Sequence, residues 1–116
     1  MHADTNLPAD NQYPKLVRDK IPEIVESQGK KAKIKVLTDD NEYLEALLSK
    51  LIEEANELAL AETEENQAEE LADVMEVIES ILILKRLSLN DIAQVQEQKR
   101  EKRGGFKERL LMDSKP

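Results

Sequence analysis

The 116-residue chain contains no cysteine, and its single histidine, His2, lies in a polar stretch at the amino terminus. The absence of thiols excludes a disulfide framework and every metal site built on cysteine. One histidine in a terminal tail does not provide the ligands of a zinc centre, so we expect no zinc chemistry.

The chain also lacks long apolar runs. No stretch approaches the ~20 apolar residues of a membrane-spanning helix, and residues 1–12 contain no hydrophobic signal region. We therefore expect a cytoplasmic protein with no membrane partner. Residues 1–14 are predicted to form a flexible tail and residues 15–112 a single domain, small enough that oligomerisation would help it to bury a core.

Negative charge dominates the chain but is unevenly distributed, and the formal net charge is −8. Residues 38–98 carry 17 acidic and three basic residues, whereas residues 99–116 carry seven basic and three acidic residues. Because there is no long basic face, duplex nucleic acid is excluded as the main ligand. The pattern favours a small polyphosphorylated ligand chelated to metal, although most of the acids are expected to be solvated helix surface.

Capping and helix-breaking residues divide the chain into four helical segments. We expect helices at about residues 22–28, 39–61, 65–87 and 88–103, with a short extended piece at 32–36. Asp39 and Ser88 are suited to N-caps, and Gly29 is suited to end the first helix. The predicted fold is all-α, a bundle of about four helices with an antiparallel hairpin at its centre.

The most informative feature is a set of four acids on the two long helices, which we call the carboxylate tetrad. Its members are Glu54, Glu57, Glu70 and Asp73. Each pair has i, i+3 spacing, so its side chains project from one helix face, and an antiparallel hairpin would bring the two pairs together. Four converging carboxylates favour a hard divalent cation, above all Mg²⁺. The spacing alone is a weak signal, because other acidic pairs in the chain share it.

The helix face on which each acid lies gives a second argument for a shared site. Glu54 falls beside the apolar stripe of its helix, whereas Glu53 is predicted to point to water. Glu70 and Asp73 lie on a stripe that becomes apolar one turn later. Acids at such positions repel one another unless they are neutralised, so a metal site competes with a wet groove or a salt bridge to Lys50. The wide apolar face of the second long helix further predicts packing against another subunit.

Two segments, KLIEEANEL at residues 50–58 and EELADV at residues 69–74, match in order the ExxE and ExxD motifs of a known family. On these motifs the chain resembles the MazG-like all-α nucleoside triphosphate pyrophosphohydrolase superfamily, which includes phosphoribosyl-ATP pyrophosphohydrolase-like proteins. The segments KLVRDKIP at residues 15–22 and RGGF at residues 103–106 are similar to a subgroup of short members. The resemblance covers nearly everything from Lys15 to Leu111.

The resemblance implies that the carboxylate tetrad is catalytic and ligates Mg²⁺, with Mn²⁺ as a substitute. It implies hydrolysis of a nucleoside triphosphate at the α–β linkage, to a monophosphate and pyrophosphate, in a homodimer or homotetramer. A spare carboxylate, either Glu53 or a tetrad member, would accept the proton of the attacking water. With three aromatic residues in the chain, the sequence does not indicate which base is preferred.

Four basic residues are candidate ligands for the substrate phosphates. Arg18 and Lys20 lie just before the first helix, and Lys99 and Arg103 have i, i+4 spacing on the last one. Arg103 also precedes a Gly-Gly pair that would let backbone approach a phosphate closely. The simpler interpretation is that Lys and Arg near a helix C-terminus complement the helix dipole.

Two other functions fit the same residues. One is phosphoribosyl-ATP pyrophosphohydrolase of histidine biosynthesis, which would use the same scaffold and metal. The other is a non-catalytic helical protein-interaction module, in which the apolar face binds a partner and the acids only maintain solubility.

Overall fold

The computed structural model describes residues 13–116, and these residues form four α-helices with no strand among them. The helices are α1 (Ile21–Ser27), α2 (Asp40–Leu60), α3 (Glu64–Lys85) and α4 (Leu89–Arg103). The all-α prediction and its four helices are confirmed. The extended piece predicted at residues 32–36 is irregular, because an isolated strand has no partner for its backbone groups. Most of the tail predicted for residues 1–14 lies outside the described residues.

Local hydrogen bonds set where the helices begin. The side chains of Asp39 and Thr63 each accept a hydrogen bond from the backbone N–H three residues later, at 3.0 and 3.1 Å. Ser88 and Asp91 form a complete capping box at the start of α4, with donor–acceptor distances of 2.8 and 3.0 Å. These bonds satisfy N–H groups that the first helical turn leaves without partners.

Left-handed backbone marks three of the helix ends. Gly29 follows α1 at φ 81° and Gly104 follows α4 at φ 80°, a conformation that glycine adopts without a steric penalty. Arg86 also has a positive φ, with φ 59° and ψ 40° in the left-handed helical region, and ends α3. After α2 the chain needs three residues, 61–63, before α3 begins, and so short a connection makes the two long helices an antiparallel pair.

The packing of α2 against α3 dominates the structure, and the core between them is small. Among the described residues, the buried apolar side chains are Leu47, Val77 and Leu82. Large apolar side chains of the same hairpin remain exposed: Leu48, Ile52, Leu60, Leu71, Met75 and Ile83. The radius of gyration is 17.5 Å, compared with about 13 Å for a compact domain of this length. The hairpin therefore leaves apolar surface that one chain does not cover.

Helix α4 is exposed along its whole length and has no buried residue. The segment that follows it is exposed as well, with Phe106 at 98% and Leu111 at 88% of full accessibility. Within the described part of the chain, no helix is long and apolar enough to span a lipid bilayer.

Candidate functional site

The short loop between α2 and α3 places the end of one helix beside the start of the other, and this brings three of the four tetrad acids together. Glu54, Glu70 and Asp73 each offer a carboxylate oxygen within 4.8 Å of the other two. Glu53, Glu54 and Glu57 form a second group that meets the same distance. Glu54 belongs to both groups, so it joins all five acids into one carboxylate cluster.

Burial separates this cluster from the other acids of the chain. Glu53 and Glu54 are buried, at 3% and 7% of full accessibility, and the other three members are partly buried. The prediction that Glu53 points to water is therefore wrong. A helical projection locates Cα atoms, whereas the Glu53 carboxylate lies three bonds further out and turns toward Lys50. Sequence reasoning placed Glu53 outside the tetrad, and its i, i+3 spacing from Lys50 was the signal that could have found it.

Two oxygens of the cluster have no hydrogen-bond partner among residues 13–116. They are Oε1 of Glu54 and Oε1 of Glu70, and both are buried. A buried acceptor that has lost water without gaining a donor costs about 1–3 kcal/mol. A bound cation with oxygen ligands would remove this cost, so the residues present fit a hard divalent ion.

The pKa of Glu70 reflects the same unfavourable burial of carboxyl groups. Burial raises the pKa of the Glu70 carboxyl above its ordinary value, and the neighbouring carboxyl groups of Glu54 and Asp73 raise it further. Both effects penalise the ionised form, because like charges have been brought together away from water. A cation at this position would favour the ionised form of the Glu70 carboxyl.

Two basic residues neutralise part of the cluster. Lys50 Nζ lies 3.4 Å from Glu53 Oε2 and 3.5 Å from Glu54 Oε2. Arg18 Nη2 donates to Asp73 Oδ1 at 2.7 Å. The salt bridge to Lys50 weighed from the sequence is thus present. Together the two basic residues pair with Glu53, Glu54 and Asp73 of the cluster.

No family model matches the chain, and no solved structure matches it. A Mycolicibacterium smegmatis protein described as uncharacterized is 50% identical over 48 residues. The match covers 41% of this chain and 48% of that protein, so the chain spans about half the length of the curated relative it matches. These comparisons assign no activity to the chain.

A shallow groove of about 210 Å³ opens beside the cluster at the loop end of the hairpin. It is lined by Glu57, Leu60, Ala61, Asn66 and Glu70. Ligand pockets usually measure about 300–1,000 Å³, so this groove is smaller than a complete nucleotide site. Asn66 was missed by sequence reasoning because its polar side chain, near the start of α3, resembles ordinary helix surface.

The four basic residues predicted to bind phosphate divide into two groups. Arg18 reaches the cluster, but it pairs with Asp73, and its side chain is 56% exposed. Lys20 is the exposed N-cap residue of α1. Lys99 and Arg103 lie on exposed α4, and within residues 13–116 no hydrogen bond or ion pair joins either of them to the cluster. One chain therefore brings Arg18 to the carboxylate cluster, in which Glu54, Glu70 and Asp73 form one group and Glu57 belongs to the other.

Proposed function

We propose that the protein is a Mg²⁺-dependent nucleoside triphosphate pyrophosphohydrolase of the MazG-like type. The observation that carries this proposal is the pair of buried, unpartnered oxygens on Glu54 and Glu70, in a cluster built from both long helices. A helical surface that only needed to be soluble would keep its acids in water. The resemblance of the ExxE and ExxD segments supplies the reaction class.

The tetrad would hold the ion, since Mg²⁺ prefers oxygen ligands. Glu54, Glu70 and Asp73 offer oxygens that lie together, and Glu57 adjoins them through Glu54. Mn²⁺ tolerates the same donors and would substitute for it. When bound, the ion supplies charge neutralisation at the triphosphate oxygens and lowers the pKa of a water molecule.

The chain's own residues would orient the substrate and accept a proton. In the proposed reaction, a water oxygen bonds to the α-phosphorus, and the bond from that phosphorus to the α–β bridging oxygen breaks. Pyrophosphate leaves with the bridging oxygen, and the proton lost by the water passes to a carboxylate of the cluster. Glu53 suits this role, because its oxygens lie within 4.8 Å of ligand atoms on Glu54 and Glu57. Arg18, half exposed beside Asp73, is placed to contact a phosphate oxygen.

The deciding experiment is hydrolysis of a nucleotide panel with Mg²⁺, in which pyrophosphate and orthophosphate are assayed separately. The panel includes ordinary and modified nucleoside triphosphates and phosphoribosyl-ATP. We expect pyrophosphate release by the wild type and a loss of roughly 100-fold or more in the Glu54→Gln variant.

The matched control is Glu76→Gln, which removes an exposed acid of α3 outside the cluster. We expect it to keep wild-type activity. Orthophosphate as the sole product would show that a different bond is cleaved. Failure to hydrolyse any nucleotide, together with an unchanged melting temperature in Mg²⁺, would instead favour the non-catalytic interaction module.

A further inference from the structure

The carboxyl-terminal part of the chain forms an arm without a partner. We define the C-terminal arm as residues 89–112, that is, α4 and the segment after it. None of α4 is buried, and the segment exposes Phe106, Leu110, Leu111 and Met112 at 76–98% of full accessibility. Four large apolar side chains so close together in sequence are costly to leave in water.

The arm is also the basic part of the molecule. Six of the seven basic residues among residues 99–116 fall between residues 99 and 109. The helical hairpin has the opposite charge, since residues 40–85 contain 14 acids and two basic residues. The arm and the hairpin are therefore complementary both in charge and in exposed apolar surface.

The arm does not cover the hairpin of its own chain. It starts at the end of α3 that is remote from the carboxylate cluster, because the 12 residues from Asp73 to Lys85 extend about 18 Å along a helix. To reach its own cluster, α4 would have to run back along α3 and bury one of its faces. None of its residues is buried.

The site of a single chain is incomplete in two respects. The groove beside the cluster, at about 210 Å³, is smaller than the usual ligand pocket of about 300–1,000 Å³. Lys50 and Arg18 lie beside the cluster, and both already pair with its carboxylates. A triphosphate brings several more negative charges, which require further cations.

We propose that the protein forms a homodimer in which the C-terminal arm of each copy packs on the hairpin of the other. In this arrangement Lys99 and Arg103 of one copy line the groove beside the partner's carboxylate cluster and bind the phosphate oxygens of the substrate. The two residues suit this role because their i, i+4 spacing puts them on one face of α4. The phosphate-binding part rests on the proposed function, whereas the position of the arm does not.

The position of the arm is tested by disulfide cross-linking, for which the absence of native cysteine is an advantage. One chain carries Gly105→Cys, a position where an added side chain meets nothing within 4 Å. A second, affinity-tagged chain carries Asn66→Cys in the groove wall. We expect a tagged–untagged disulfide dimer after mild oxidation, and we expect its yield to fall in high salt because charge attraction contributes.

The matched control pairs Gly105→Cys with Lys33→Cys, an exposed position in the irregular segment before α2. Cross-linking to Asn66→Cys that does not exceed this control would overturn the proposal. A chain that stays monomeric in analytical ultracentrifugation at all accessible concentrations would overturn it as well.

The phosphate-binding role is tested by mixing two inactive variants, Glu54→Gln and Arg103→Ala. If Arg103 acts across the dimer, each mixed dimer contains one complete site, so an equimolar mixture regains roughly a quarter of wild-type activity. If Arg103 acts within its own chain, no mixed dimer has a complete site and activity stays absent. That second result would reject the trans arrangement.

The cross-linking result also separates failure of this proposal from failure of the proposed function. Should the wild type hydrolyse no nucleotide, cross-linking still reports where the arm lies, and binding of tripolyphosphate replaces activity as the readout. We then expect Arg103→Ala to weaken tripolyphosphate binding about tenfold. Unchanged tripolyphosphate binding would show that Arg103 does not line the groove.

Discussion

Glu54 and Glu70 combine two properties that proteins seldom allow together. Their carboxyl groups are near each other, and each has a buried oxygen without a hydrogen-bond donor. Without a cation the arrangement is destabilising, because desolvation and like charge act in the same direction. The cluster therefore destabilises the folded protein, and only a bound cation or a proton on one of the carboxylates relieves this destabilisation.

Replacing Glu70 should therefore stabilise the metal-free protein. In Glu70→Gln one like charge is lost, and the new amide group can donate to the unpartnered oxygen of Glu54. We expect the free energy of unfolding in urea with EDTA to rise by about 1 kcal/mol, and the stabilisation by Mg²⁺ to be lost. Glu76→Gln, exposed on the same helix, should change neither quantity. A less stable metal-free Glu70→Gln protein would contradict this account of the cluster.

Replacing Lys50 should have the opposite effect and destabilise the metal-free protein. Its ammonium group lies 3.4–3.5 Å from two cluster carboxylates, and its removal leaves both without that partner. We expect Lys50→Met to lower the free energy of unfolding of the metal-free protein by about 1–3 kcal/mol. Isothermal titration calorimetry should show tighter Mg²⁺ binding, because a competing cation is gone. Lys33→Met, at an exposed position outside the helices, serves as the control.

At the scale of helices, the sequence was informative because helix ends depend on neighbouring residues. Asp39, Ser88 and Gly29 mark boundaries through bonds and dihedral angles that span three or four residues. The convergence of Glu54, Glu70 and Asp73 was likewise predictable, since the i, i+3 spacing and the short loop bring these acids together. The burial of Glu53 was not predictable from the sequence, because it depends on the side-chain conformations that form once the two helices have packed. The exposure of α4 was not predictable from the sequence either. Capping residues determine that a helix forms but not which surface packs against it.

The capping box of α4 should make the start of this helix sensitive to pH. Hydrogen bonds from the backbone and side chain of Ser88 hold the pKa of the Asp91 carboxyl below its ordinary value. A lowered pKa in the folded state means stabilisation that is present above the carboxyl's unfolded pKa and lost as the pH falls through its folded pKa. We expect ¹³Cα shifts of residues 89–92 to report fraying of the helix start in that acidic range.

The Asp91→Asn variant supplies the control for this titration. Its side chain does not ionise, so the shifts of the same residues should stay flat over the same range. Equal fraying in the variant would show that Asp91 is not the group responsible.

At the scale of the whole molecule, one chain leaves too much apolar surface in water. Ile83 on α3 is 77% exposed and Leu60 at the end of α2 is 71% exposed, while the core between the helices is small. A domain of this size buries enough surface to fold alone only when its packing is efficient. Self-association is the direct way to cover such surface.

The melting temperature should accordingly rise with protein concentration, because association stabilises the native state by mass action. Ile83→Lys should reduce this dependence while the helix content measured by circular dichroism is unchanged, since the side chain is largely exposed in one chain. Val36→Lys is a matched control at an apolar position of 76% exposure outside the helices. A melting temperature independent of concentration in the wild type would contradict the prediction.

The short loop of the hairpin has a consequence for the order of folding. All five acids of the cluster and Lys50 fall within the 24 consecutive residues 50–73. Contacts of such low sequence separation form quickly, because little chain entropy is lost in closing them. The cluster should therefore be assembled by each nascent chain on its own, in a first-order step. The proposed docking of the arms would be second order in protein, so at low concentration the folded monomer would accumulate before it pairs.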